Sequence, residues 1–321
     1  MKKFTLLLCV VLSTTHAFSQ EKGTPSVKVF ANFNADMSES SNYKEFEIKR
    51  SYLGYKYSFN EDFNAKITFD VGSNSSGSAY TAFLKVASLN WKASDHLSLD
   101  LGQIGTKNFK FMEKAWGRRY IEKSALDKYK WASSADIGVG ASYKISNGIN
   151  IDAQIINGEG YKKTQADGLF RTGAGITMKI SENLSVRVFR DILPHTEDSL
   201  ATQNITSGAA YYKGNRFSVG LERNLMENTE NNSGMNKDLL SIYGSINLGD
   251  FILFARTDRM SSENNWDINK DGEYRILGVE HQLTKGVTVA LNVQSWKDAN
   301  LEGDPESEEE RTLYLNLEYK F

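Results

Sequence analysis

Side-chain polarity alternates with period two along most of this chain, down to its last residue. At the C-terminus Leu313, Leu315, Leu317, Tyr319 and Phe321 take one face, while Thr312, Tyr314, Asn316, Glu318 and Lys320 take the other. Successive side chains of a strand point to opposite sides, so this segment reads as a strand with one apolar and one polar face. The same alternation recurs over 63–71, 97–101, 149–155 and 287–293.

The connections fall into two alternating classes. Short turns rich in Asn, Asp, Ser and Gly occur near residues 60–62, 93–95, 146–148, 181–183, 213–215, 249–250 and 284–286. Those residues supply the positive φ angles that tight hairpins need. Longer polar stretches lie between them, over 34–45, 72–79, 105–134, 158–169, 193–204, 226–237, 260–272 and 298–310. Seven turns and eight loops join about sixteen strands, each long enough to cross a bilayer when tilted. The predicted fold is all-β: a transmembrane antiparallel β-barrel with short periplasmic turns and long extracellular loops. A soluble sandwich would alternate too. However, residues 21–321 contain no domain linker. Tyr57, Phe59, Phe63, Trp91, Tyr143, Phe251, Tyr319 and Phe321 also gather near the short-turn ends, where an interface girdle belongs.

The N-terminus sets the compartment. Lys2 and Lys3 precede an apolar run through Leu12, and small and polar residues follow, with sites for cleavage after Ala17 or Gln20. This order predicts a signal peptide over 1–20 and a single barrel domain over 21–321, placed in the outer membrane of a Gram-negative bacterium. The single cysteine, Cys9, leaves with that segment, so no disulfide, thiol nucleophile or cysteine metal site is expected. No mature stretch reaches the ~18 apolar residues of a membrane helix. Loss of Lys2 and Lys3 takes the formal charge from -2 to about -4, which argues against nucleic acid as a partner.

Candidate chemistry concentrates in the third loop. Lys107, Lys110, Lys114, Arg118, Arg119, Lys123, Lys128 and Lys130 stand there against Glu113, Glu122 and Asp127, a local charge of about +5. Lys107, Lys110, Lys114, Arg118, Arg119 and Lys123, with Glu122 among them, are the expected lining of an anion-favouring constriction. A solvated basic loop resting on lipopolysaccharide phosphates is the alternative. Strand parity turns Arg50, Lys56, Lys66, Lys144, Lys179 and Arg187 toward the lumen, together with Asp70, Asp100, Asp136, Asp152, Glu222 and Glu318. The last loop is acidic, with Asp298, Glu302, Asp304, Glu306, Glu308, Glu309 and Glu310, and reads as a solvated face near lipid phosphates. Asp267, Asn269 and Asp271 match half of a calcium loop, but Gly278 stands where its twelfth-position glutamate would be. His96, His195 and His281 lie outside any nucleophile or metal motif, so neither an enzyme nor a cofactor is expected.

Phe46-Glu47-Ile48-Lys49-Arg50-Ser51-Tyr52-Leu53-Gly54 is a basic second-strand segment. Leu101-Gly102-Gln103-Ile104 leads into the third loop, and Tyr120-Ile121-Glu122-Lys123-Ser124 lies in its middle. Ala135-Asp136-Ile137-Gly138-Val139 and Ile155-Ile156-Asn157-Gly158-Glu159-Gly160 fall on the strands that follow, and Leu277-Gly278-Val279-Glu280 on the penultimate hairpin. In this order these segments resemble the phosphate-selective (O/P-like) family of outer-membrane porins. The resemblance implies a sixteen-stranded homotrimeric channel with its third loop folded into the lumen. Phe321 resembles the signal read by barrel-assembly machinery. An ordered arginine ladder, which phosphate specificity would call for, is not traceable here.

Two functions fit these readings. One is passive diffusion of small hydrophilic or anionic solutes, including phosphate, past a basic third loop. The other is a plugged barrel whose outer loops bind a ligand or partner; a barrel enzyme is a remoter third.

Overall fold

The computed structural model describes residues 23–321 apart from 39–40, 74–78, 196, 198 and 300–308. The predicted signal peptide lies outside the described residues, as do Glu302, Asp304, Glu306 and Glu308. Sixteen strands form among the described residues. The first half comprises β1 (Gly23–Asp36), β2 (Lys44–Ser58), β3 (Phe63–Gly72), β4 (Thr81–Lys92), β5 (Leu97–Gly105), β6 (Ala135–Lys144), β7 (Ile149–Ile156) and β8 (Arg171–Lys179). The second half comprises β9 (Leu184–Leu193), β10 (Gln203–Lys213), β11 (Phe217–Glu227), β12 (Lys237–Asn247), β13 (Phe251–Ser262), β14 (Gly272–Thr284), β15 (Val287–Asp298) and β16 (Glu310–Lys320).

Each strand pairs antiparallel with its neighbours in sequence, and β1 pairs with β16 to close the barrel. Closure satisfies every strand's ladder and removes both sheet edges, which is the condition for crossing a bilayer with strands. The seven turns and eight loops fall where the polarity pattern places them. At the short-turn end, aromatic rings meet on the outer surface: Phe63 stacks on Trp91 at 5.8 Å and Phe251 lies 4.9 Å from His281. His281 and His96 turn their Nδ1 atoms to the carbonyls of Asp250 and Lys144, so both are engaged with backbone at this rim.

Parity sorts the walls cleanly. On β11, Glu222, Asn224 and Met226 are buried inside while Leu221, Arg223 and Leu225 face out. Three register shifts interrupt this order, in the β1–β2 pairing at Lys49, in the β3–β4 pairing at Lys85 and, beside the last short turn, in the β14–β15 pairing at Leu283. A bulge inserts one unpaired residue and re-aims its side chain.

The interior is filled from one side. The third loop, 106–134, enters the barrel and carries two helices, α1 (Lys107–Trp116) and α2 (Ala125–Lys128). It packs against the wall that runs from β10 through β16 to β1, in two apolar clusters. Trp116, Tyr120 and Ile121 meet Phe30, Tyr243, Phe254, Tyr274 and Ile276 in one. Leu126 and Trp131 meet Ile205, Met226, Leu239 and Met260 in the other.

A basic lumen beneath the third loop

The third loop stays inside because it is tied down at its base, its middle and its tip. At the base, Lys107 is buried, its amide bonded to Gln154 and its ammonium to Asp100 and Ser142, each at 3.0 Å or less. Gly140 on β6 makes that approach possible: a Cβ there would sit 2.6 Å from the Lys107 Cε. Asn108 donates to Ser207 on β10 and accepts from the Nε of Arg187 on β9, which also grips Asp152 through its two terminal guanidinium nitrogens. Helix α1 ends at Gly117, whose φ of +71° closes the last turn onto the Glu113 carbonyl.

Beyond α1, the chain reaches the opposite wall. Arg118 pairs with Glu280 on β14 at 3.3 Å, and the Tyr120 hydroxyl donates to the same carboxylate at 2.7 Å. Burial and that carboxylate both push the Tyr120 hydroxyl far above its ordinary range. Asn316 on β16 donates to the Tyr120 carbonyl, and Arg256 on β13 to the Lys123 carbonyl. Arg119 is held by Glu113 and Asp127 and donates to the Tyr52 hydroxyl. Glu122 pairs with Lys128 at 3.4 Å. Burial alone would raise its carboxyl, but Lys49, Lys128 and the Lys123 amide hold it well below the usual range.

Both bulge lysines serve this loop. Lys49 donates to the Ile121 carbonyl at 3.0 Å. Lys85 lies over the rings of Tyr52, Tyr161 and, on α1, Phe109, at 5.0, 5.2 and 5.8 Å. Buried cations over aromatic faces gain from the ring quadrupole. Tyr161, from the loop after β7, donates to Asp70, which is also paired with Arg50.

The residues expected to line a constriction therefore divide. Lys107, Arg118, Arg119 and Glu122, with Arg187 and Arg50 on the wall, are engaged in ion pairs or buried hydrogen bonds. Lys123 is half-buried, and that burial lowers its ammonium below the ordinary lysine range. Lys110, Lys114 and Lys56 reach open space. A cavity of about 450 Å³ lies along β2–β5 on the short-turn side of α1, lined by Lys56, Lys66 and Lys110, by Asp100 and by Ser58, Asn64, Ser88 and Asn90. A second, of about 280 Å³, lies beneath the end of α1 with Lys114, Arg118, Lys213, Arg216 and Glu280 around it. Sequence reasoning did not single out Lys213 and Arg216, which sit at a short turn and show their role only once the loop is placed above them.

The half calcium loop holds ion pairs instead. Asp267 contacts Lys237 and Lys270, and Asp271 accepts from Ser262. Among the described residues no group of carboxylates, histidines or cysteines is arranged to hold a metal ion.

The architecture is shared with solved outer-membrane porins at low sequence identity. An anion-selective porin from Comamonas acidovorans superposes with a TM-score of 0.69 at 11% identity, covering 93% of this chain and 99% of that one. OprB of Pseudomonas putida gives 0.71 at 10% identity, covering 94% of both chains. A mutant porin of Rh. blastica gives 0.62 at 15% identity, covering 93% of this chain and 100% of that one. No protein-family model and no curated protein matches the chain.

Proposed function

We propose that this chain is an outer-membrane porin through which small hydrophilic solutes diffuse passively, with a preference for anions. The observation that carries the proposal is the charge of the open lumen. Between the short-turn end of the β2–β5 wall and α1, Lys56, Lys66 and Lys110 line a cavity in which Asp100 is already paired with Lys107 and Lys110. The cavity beneath the end of α1 is likewise dominated by cations. Charge of one sign on low-dielectric walls concentrates the opposite ion and repels its own. Phosphate is a candidate within this class. Export by a cleaved segment over 1–20, insertion of residues 21–321 as one barrel and assembly as a homotrimer belong to the same reading.

The packing of Trp116 and Ile121 against the far wall favours a second reading, in which the loop closes the lumen and the protein binds a ligand or partner from outside. Swelling of vesicles containing the purified protein separates the two. Uptake of small sugars and of sodium phosphate supports the channel. Vesicles as tight as protein-free controls support the plug.

A further inference from the structure

The outer surface of the barrel differs around its girth. On β2, β4, β6 and β7, outward side chains remain apolar up to the long-loop end, as with Phe46, Leu84, Ile137 and Ile155, all exposed. On β9 to β14 the same half of the wall carries ion pairs on its outward face. Arg190 pairs with Glu227 at 3.2 Å, Arg223 with Asp238 at 2.7 Å and Arg275 with Glu273 at 2.7 Å. Arg259 stands opposite Glu273 in the β13–β14 register.

Depth makes this contrast informative. Ile137 and Arg275 each lie six residues above a rim aromatic or imidazole of their own strand, Tyr143 and His281. At about 3.3 Å per residue and a tilt of about 40°, both stand roughly 15 Å above that rim. The apolar band of such barrels is about 25 Å tall, so Ile137 is where hydrocarbon is expected and Arg275 is not. Charges on the lipid face are costly at mid-depth and tolerated near the headgroups. The polar boundary therefore runs lower on the β9–β14 side than on the β2–β7 side.

We propose that the outward face of the extracellular half of β9–β14 seats phosphorylated headgroups of outer-leaflet glycolipid. The inference rests on the outer-membrane reading above. Side chains of Arg190, Arg223 and Arg275 are 48%, 63% and 54% exposed although each is ion-paired. A guanidinium has five donors in a fork, and one carboxylate leaves some free for a phosphate. The mixed sign fits the same partner. Phosphates bridged by divalent cations form a layer of both charges, in which arginines take phosphate oxygens and carboxylates such as Glu273 and Asp238 share the cation.

The test compares wild-type protein with the triple variant Arg223→Gln/Arg259→Gln/Arg275→Gln and with Lys44→Gln, a charge change outside this face. Each is reconstituted with magnesium and either bisphosphorylated or dephosphorylated lipid A, re-purified in detergent, and its retained glycolipid counted by mass spectrometry. Wild type and Lys44→Gln should retain the phosphorylated form several-fold over the dephosphorylated one. The triple variant and chelator-treated wild type should lose about fivefold of it, as expected for charge-assisted contacts near an interface. Heat-modified gel migration checks that each barrel is folded, and an unchanged reversal potential separates this surface from the pore. Equal retention of both lipid forms, undiminished retention by the triple variant, or cross-links from this face to a second copy would overturn the proposal.

Discussion

The Tyr120 hydroxyl, on a loop that leaves the wall between β5 and β6, donates to Glu280 on β14, directly across the ring of sixteen strands. The loop therefore spans the lumen and is anchored at both ends, and its anchors can be removed without touching the strand ladder. Replacing Tyr120 by Phe leaves Glu280 with Arg118 and should cost the anchor about 1–3 kcal/mol. We expect unchanged heat-modified migration with a noisier, larger single-channel conductance in planar bilayers. Identical current traces would show that the contact does not hold the loop.

Trp116 is the largest side chain buried between loop and wall, edge-on to Tyr243 at 5.5 Å with its indole nitrogen donating to the Glu122 carbonyl. Its replacement by Ala should remove about 3–5 kcal/mol of packing. Because the loss falls on the loop, conductance should rise while the barrel stays folded.

At the loop base, Gly140→Val places atoms where the Lys107 side chain runs. Overpacking of this kind costs about 1–3 kcal/mol. Amide exchange over 106–112 should accelerate, with the β6 ladder still protected. Protection of both at wild-type levels would contradict the assignment.

The Glu122 carboxyl is depressed below its ordinary 4.5, so it stabilises the loop above the pH at which it would titrate in the unfolded chain. That contribution is fully present at neutral pH and is lost as pH falls below about 4.5 toward its lower folded value. Conductance should be flat from pH 7 to 5 and change only in stronger acid. In Glu122→Gln the acid step should disappear, which titration of the single-channel current will show.

Strand number, the two classes of connection and the place of the longest loop were legible in the sequence because period-two alternation and turn chemistry are local signals. Pairings were not. Arg187 reads as a lumen cation by parity, and it does face in, but it is taken up by Asp152 and Asn108, far away in sequence. Lys85 escaped notice because alternation slips at its bulge: Leu84 faces out, while Lys85 turns in beneath Tyr161. The loop's charge of about +5, already net of Glu113, Glu122 and Asp127, was countable, but not the wall carboxylates that meet it once folded: Glu280 takes Arg118, and Asp100 takes Lys107 and Lys110. The cations left facing open space lie on strands and short turns as well as on the loop.

Anion preference set by the open lumen can be read from the reversal potential across a KCl gradient, measured on wild type and on Lys56→Gln/Lys66→Gln/Lys110→Gln. The wild-type potential should favour chloride and move toward zero in the triple variant, with the barrel still folded. A wild-type potential of zero, one favouring potassium, or a chloride preference untouched by the three substitutions would contradict it.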